Sequence, residues 1–189
     1  MGLVGILLLI LVPVLYFLPR AQAKNDPASY IPEKPVHVDH TDIVQGEFQT
    51  GQDVTRACLE CHEDAATEMM ATTHWTWESK EFDVPWRDEP VTIGKANQIN
   101  NFCIGTQGNE NKCMSCHAGY GWEEGREAQK SNPENVDCLA CHADPGTYGK
   151  GTFGNPAEGI DLLAAAQSVK TPTRENCGKC HFDGGGGNG

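Results

Sequence analysis

The sequence predicts a mainly α-helical fold with short helices, long loops and little sheet. Only 39% of the 189 residues are hydrophobic, 21 glycines and 11 prolines divide the chain into short segments, and one cysteine-containing pentapeptide occurs four times. Loops as long as these are uncommon in a compact domain. We therefore expect much of the core to consist of large apolar groups around which the chain wraps.

The repeated pentapeptide has the pattern C-x-x-C-H and lies at 58–62, 113–117, 138–142 and 177–181. This pattern is the attachment site of a c-type haem, where both thiols form thioether bonds and the adjacent histidine binds the iron. The sequence thus predicts a multihaem cytochrome c, with short helices wrapped around four covalently bound haem c groups. The predicted attachment residues are Cys58, Cys61, Cys113, Cys116, Cys138, Cys141, Cys177 and Cys180. The predicted proximal iron ligands are His62, His117, His142 and His181.

Two other kinds of site also use paired cysteines. The 21-residue gap between Cys116 and Cys138 is close to the spacing of zinc sites. Eight cysteines in an exported chain can instead form a disulfide framework. Neither alternative requires a histidine after every second cysteine, and all four copies have one. The pattern therefore favours haem.

The beginning of the chain indicates export. Residues 3–18 are almost wholly apolar and precede Ala21-Gln22-Ala23, which matches the cleavage pattern of a secretory signal. We predict that 1–23 is a signal peptide or, if uncleaved, an N-terminal anchor and the protein's contact with the membrane. In both cases the rest of the chain is expected in the periplasm or otherwise outside the cytoplasm. Residues 24–48 are polar and proline-rich, which predicts an extended arm. Residues 49–189 are the predicted tetrahaem cytochrome c domain, complete or truncated at its C-terminus.

Capping signals predict where the helices begin. Asp53 is expected to cap a helix that runs from 54 through the first motif to about 70. Pro133 and Pro172, each between a polar residue and a downstream acid, predict helix starts ahead of the third and fourth motifs. Asp161 is expected to cap a helix within 161–169.

The histidine count limits the sixth ligands of the irons. Seven histidines are present, and four of them are the predicted proximal ligands. The candidate distal ligands are therefore His37, His40 and His74. His74 is the best candidate because it lies among aromatic residues, 12 positions after His62, and we expect it to bind a different haem from the one held by His62. His37 and His40 are equally well read as solvated histidines of the arm. Four haems require four sixth ligands, so at least one haem lacks a distal histidine from this chain.

The ninth cysteine, Cys103, belongs to no motif. It is either a buried thiol, a common state of free cysteine, or a thiol that faces a catalytic pocket. A cluster of amide side chains precedes it, formed by Asn97, Gln98, Asn100 and Asn101. Such amides would offer hydrogen-bond donors to a small oxyanion.

Four further strings, at 51–62, 71–77, 94–105 and 172–177, resemble the octahaem tetrathionate reductase family of c-type cytochromes. The resemblance extends over roughly 48–187. Because this chain has four motifs, it looks like the N-terminal half of such a protein. The resemblance implies a periplasmic reductase of small sulfur and nitrogen compounds such as tetrathionate, nitrite and hydroxylamine. It also implies that most haems carry two histidines, while one carries a lysine and serves as the active site.

On this implication, three lysines close to the motifs are candidate catalytic residues together with Cys103. They are Lys95, Lys112 and Lys150, and the sequence does not rank them. The alternative function is a non-catalytic tetrahaem electron-transfer protein. Coordination separates the two, because an open iron binds substrate and a six-coordinate iron does not.

The net charge of −12 indicates the kind of partner. A strongly acidic chain is not suited to nucleic acid, whose phosphates would repel it. It suits a redox partner with a basic surface or a quinol-linked cytochrome, with an association that weakens as salt is raised.

Overall fold

The computed structural model describes residues 7, 9, 11, 37–99, 105–121 and 130–182. The chain divides into two compact units, Met1–Val36 and His37–Gly189. The first unit is described only at Leu7, Leu9 and Leu11, which are helical. Cys103 and most of the predicted signal segment therefore lie outside the described residues. None of the helices in the described ranges is both long enough and apolar enough to cross a membrane.

Short helices joined by loops make up the second unit, which confirms the predicted fold class. The α-helices are α1 (Gly51–Leu59), α2 (Ala65–Met70), α3 (Thr73–Thr76), α4 (Glu110–Cys113), α5 (Cys138–His142), α6 (Leu162–Gln167) and α7 (Arg174–His181). Single 3₁₀ turns occupy Met114–Cys116, Pro133–Asn135 and Thr152–Gly154. In the part of the chain that the structure describes, β pairing is limited to isolated antiparallel bridges, such as that between Phe82 and Val91.

The first helix starts and ends differently from the prediction. Thr50 is the N-cap, and Asp53 is the third helical residue of a capping box in which its Oδ2 accepts from the Thr50 amide at 2.7 Å. The helix ends at Leu59 because the Cys58 carbonyl accepts from both Cys61 N (3.2 Å) and His62 N (2.9 Å). This tightened last turn stops the helix, and the predicted continuation to 70 is wrong.

The other helix starts also depend on local capping. The segment at Pro133 forms only a 3₁₀ turn, and the third motif has its own cap, because the Asp137 carboxylate accepts from Ala140 N at 3.0 Å. Pro172 precedes the Thr173 cap of α7 and is not its first helical residue. The prediction for Asp161 is confirmed, since its Oδ1 accepts from Ala164 N at 2.9 Å and α6 follows.

Two small apolar clusters form the protein core. The first comprises Val54, Leu139, Ala143, Tyr148, Leu162, Ala165 and Ala166. The second comprises Ala66, Trp75, Met114 and Val136. Motif cysteines lie at their edges, with Cys58 packed against the first cluster and Cys138 against the second. The small size of both clusters agrees with an interior completed by bound groups.

The described part of the predicted arm, 37–48, contacts this core. Val44 and Phe48 pack against the first cluster. The Gln167 side chain at the end of α6 donates to the carbonyls of Thr41 (3.0 Å) and Val44 (2.9 Å). These bonds place the histidines of the arm close to the first motif.

Candidate haem-binding sites

Each C-x-x-C-H motif lies on or beside a helical turn. Cys58 is near the end of α1, Cys113 ends α4, the third motif is α5 itself, and the fourth forms the last part of α7. Helical residues three and four apart share one face. The two cysteines and the following histidine of the motif therefore lie on the same face of α5, and likewise of α7. The eight motif cysteines are free thiols, and no group of three metal-binding side chains converges in the described ranges.

Two histidine pairs have a separation that suits a shared iron. The ring centres of His40 and His62 are 6.4 Å apart, with 26° between the planes, and those of His74 and His181 are 6.2 Å apart. Imidazoles on opposite sides of one iron have ring centres roughly 6 Å apart, given about 2 Å for a metal–nitrogen bond and about 1 Å from that nitrogen to the ring centre. His40 Nδ1 lies 2.8 Å from the Val38 carbonyl, which leaves Nε2 as the metal-binding nitrogen. The residues present thus fit haem iron at the first and fourth motifs.

The third motif has histidines of the arm nearby. His142 Nδ1 lies 3.2 Å from the Lys170 carbonyl, which again leaves Nε2 for a metal. Burial lowers the pKa of His142, the Lys170 bond opposes this, and the charges of His37, His62 and His40 lower it further. His37 is 5.1 Å from His40, measured between ring centres. The arm therefore brings one histidine to His62 and a second to the same region as His142.

The second motif is built differently. His117 is only 1% exposed, and its Nε2 donates to the Trp75 carbonyl at 2.7 Å. Its ring centre is 5.2 Å from that of Trp75 and 5.1 Å from that of Trp77. Gly119 is required beside it, since a Cβ there would lie 2.7 Å from Trp75 Cζ3 and 2.9 Å from His117 Nδ1. The nitrogen that would bind iron is engaged by a backbone carbonyl in this conformation.

Lys150 is the candidate lysine that lies buried beside the second motif. Its Nζ is 2.9 Å from Asp137 Oδ2, and the two side chains are 7% and 0% exposed. The same ammonium donates to the carbonyls of His117 and Gly119 and lies 5.7 Å from the Tyr120 ring centre. Lys95 and Lys112 are both exposed. The structure thus separates three lysines that the sequence could not rank.

A buried polar network around Asp137 was not predicted from the sequence. Asp137 accepts from the hydroxyls of Tyr120 and Tyr148, each at 2.9 Å, in addition to its bonds with Ala140 N and Lys150. Burial raises the pKa of both tyrosines, and the Asp137 charge raises it further. A carboxylate immediately before Cys138 was the available signal, because that position caps the helix of the third motif.

Thiols from different motifs are neighbours. The Cys138 thiol is hydrogen-bonded to Cys58, which lowers the pKa of Cys58. The Cys180 thiol is hydrogen-bonded to Cys116 and, with help from the charges of Lys95 and Lys150 and against burial, lowers the pKa of Cys116 to about 6. The first motif is therefore beside the third, and the second beside the fourth. Asn176 Nδ2 donates to the Ala143 carbonyl at 2.8 Å, which joins the third motif to the fourth.

The amide cluster near Cys103 is only partly described. Asn97 uses its side chain locally, accepting from Gly94 N at 3.0 Å and donating to the Thr92 carbonyl at 2.8 Å. Gln98 and Asn97 line a surface cavity of about 370 Å³, to which no C-x-x-C-H residue contributes. Asn100 and Asn101 lie outside the described residues. Asn97 is thus committed to its own turn, contrary to the expectation that it serves an oxyanion.

Comparisons with known proteins agree with this geometry. Residues 99–182 match the family model for cytochrome c7 and related cytochrome c. The crystal structure of an octaheme cytochrome c from Shewanella oneidensis is 48% identical, with a TM-score of 0.70 over 78% of this chain and 33% of that chain. An uncharacterized protein of Archaeoglobus fulgidus is 22% identical over 79% of this chain and 66% of its own length. The chain therefore spans about a third of the octahaem chain and less than two thirds of the archaeal relative.

The motifs, the helical fold and these matches are together those of a multihaem c-type cytochrome, a class of protein that binds haem c covalently. More narrowly, residues 99–182 are similar to a cytochrome c7-type multihaem domain, and the fold is shared with octahaem cytochrome c. Multihaem c-type cytochromes are typically exported proteins.

Proposed function

We propose that this chain holds four haem c groups and forms part of an exported reductase, similar to octahaem tetrathionate reductase, that acts on small sulfur or nitrogen compounds. One observation carries the proposal. The second motif has its own histidine turned into an aromatic cage and a buried lysine amine beside it. The first and fourth motifs each have a second histidine at the separation of a shared iron, and at the third motif the charge of His37 acts on His142.

The ligand assignment uses each remaining histidine once. His62 pairs with His40, and His181 pairs with His74, because their ring centres have the separation of a shared iron. His142 pairs with His37, which is the histidine of the arm left over. Irons with two imidazoles are closed to substrate and suited to electron transfer. At the second motif no further histidine remains and His117 Nε2 is bonded to the Trp75 carbonyl, so a single protein ligand would leave the iron open on one side.

At the second motif, Lys150 is the residue assigned to bind the iron. An amine must lose its proton before it binds a metal. The Lys150 side chain is 7% exposed and pairs with Asp137 at 2.9 Å, and Tyr120 and Tyr148 hold that carboxylate in place. Lys112, exposed on α4, lacks this setting.

The haem groups would supply electron storage and an iron that accepts a ligand's lone pair. The chain's own residues position them and exclude water. Trp75 and Met114, at 3% and 0% exposure, form a buried apolar surface at the second motif. The contacts between thiols of neighbouring motifs bring the attachment points close together, which suits rapid delivery of electrons to one site.

A second candidate function is a tetrahaem electron carrier without catalysis. The closely spaced thiols favour it equally, since they suit a relay between partner proteins. The net charge of −12 suits a partner with a basic surface in either case. The two functions differ in whether any iron binds an added ligand.

Nitrite titration of the oxidised four-haem protein, followed by electron paramagnetic resonance, tests the proposal. We expect one iron in four to change its signal. Lys150→Met should alter that iron's signal before nitrite is added, and Lys112→Met, a matched removal of an exposed lysine, should not. If all four irons are low-spin and none responds to nitrite, the reductase proposal is wrong and the carrier function stands.

A further inference from the structure

Lys95 lies beside the second motif and is exposed to solvent, whereas Lys150 is buried. Its Nζ is 5.7 Å from the Trp77 ring centre, and that ring is 5.1 Å from His117. In the described part of the chain Lys95 forms no salt bridge, whereas Lys150 and Lys170 do. An un-neutralised cation therefore stands at the edge of the proposed substrate site.

The turn that carries Lys95 is fixed to Trp77. A Cβ on Gly94 would lie 1.9 Å from the Trp77 carbonyl oxygen, so only glycine permits this approach. Ala96 N donates to the same oxygen at 3.2 Å, and Trp77 adopts φ 55° to present it. The Thr106 hydroxyl donates to the Lys95 carbonyl at 3.3 Å. This set of contacts determines where the Lys95 stem leaves the backbone.

We propose that Lys95 is a positioning residue that recruits small anions to the site at the second motif. The reason is electrostatic. A chain of net charge −12 repels anions at long range, and an exposed ammonium at the edge of the site provides a local attraction. Contact with the Trp77 ring holds a cation without neutralising it. This inference rests on the proposed function, because it requires that the second motif hold the iron that binds substrate.

The test compares Lys95→Gln with Lys80→Gln, which removes the same charge from an exposed position of the same segment. Nitrite is titrated into the oxidised protein and carbon monoxide into the reduced protein, both followed by optical absorption. For Lys95→Gln, the Kd of nitrite should rise about fivefold at low salt, as expected for loss of one unit charge in a partly solvated site. The Kd of neutral carbon monoxide should change less than about twofold, and the effect on nitrite should shrink as salt approaches about 1 M.

Each other outcome contradicts a different claim. If Lys95→Gln binds nitrite as tightly as Lys80→Gln does, the inference is wrong. If it weakens nitrite and carbon monoxide equally, Lys95 supports the structure of the site and not anion recruitment, which also overturns the inference. A wild-type protein that binds neither ligand refutes the proposed function itself.

Discussion

Replacing His74 by alanine should convert one haem in four from low spin to high spin. His74 lies in α3, and its ring centre is 6.2 Å from that of His181, the last residue of α7. With the imidazole removed, the iron held by the fourth motif loses its sixth ligand. The other assigned pairs, formed by histidines of the arm with the first and third motifs, contain no atom of His74.

The structure gives the size of the expected effect. One of four assigned irons is involved, so about a quarter of the total spin intensity should leave the low-spin signal. His74 is exposed and belongs to neither apolar cluster, so its removal leaves the protein core intact. A spectral change confined to one haem distinguishes a lost ligand from a damaged fold.

The assay is electron paramagnetic resonance of the oxidised protein, integrated against a spin standard. Thr73→Ala, a neighbouring exposed change in the same helix, is the control and should leave the spectrum unchanged. Added imidazole should restore the low-spin signal of His74→Ala by occupying the vacated position. An unchanged spectrum, or a change in more than one haem, would refute the assignment of His74 to a single iron.

Three further outcomes are expected. Asp137→Asn removes the buried partner of Lys150 and should lower the free energy of unfolding by about 3 kcal/mol in guanidinium denaturation. Asp161→Asn, which keeps a helix cap, should change it by less than about 0.5 kcal/mol, and equal effects would contradict the buried-pair account. Gly119→Ala would place a Cβ 2.7 Å from Trp75 Cζ3 and should cost about 1–3 kcal/mol; an unaltered denaturation midpoint would argue against the tight cage. The Thr50 hydroxyl and amide hold the pKa of Asp53 below its usual 3.8, so the capping box stabilises above that pH and weakens as pH falls through the lowered pKa. The stability difference between wild type and Asp53→Asn should therefore shrink as the pH falls below about 5, and a constant difference would exclude this linkage.

The sequence was sufficient for the features that depend on adjacent residues. C-x-x-C-H places two thiols and an imidazole within one turn, so its chemistry does not depend on the rest of the fold. The cap at Asp161 is similarly local, because its side chain bonds to an amide three residues away. The low sheet content followed from the composition, with its few hydrophobic residues and many glycines and prolines.

Helix boundaries around the first motif could not be predicted in this way. Residues 60–64 contain no proline or glycine, so propensity alone favoured a continuous helix. The helix instead ends where the Cys58 carbonyl accepts two hydrogen bonds, from Cys61 N and His62 N. Amino-acid composition does not predict such a shared acceptor. The Pro133 signal was real but led only to a 3₁₀ turn, because Asp137 caps the next helix itself.

The candidate site required long-range contacts that sequence order conceals. Lys150 lies 33 residues from His117 along the chain, yet donates to its carbonyl. His74 and His181 are far apart in the sequence, and their rings come close together only in the folded domain. The three lysines were equivalent as sequence positions, and burial against Asp137 distinguishes one of them.

The most direct test of the central claim is a count of bis-histidine irons in the four-haem protein. Near-infrared magnetic circular dichroism distinguishes an iron with two imidazoles from one with an amine ligand or an open position. Mass spectrometry of the same denatured sample should confirm four covalent haem increments. The account predicts three bis-histidine irons and one iron that is altered by Lys150→Met but not by Lys112→Met. Two or fewer bis-histidine irons, or a fourth iron that Lys150→Met leaves unaltered, would contradict it.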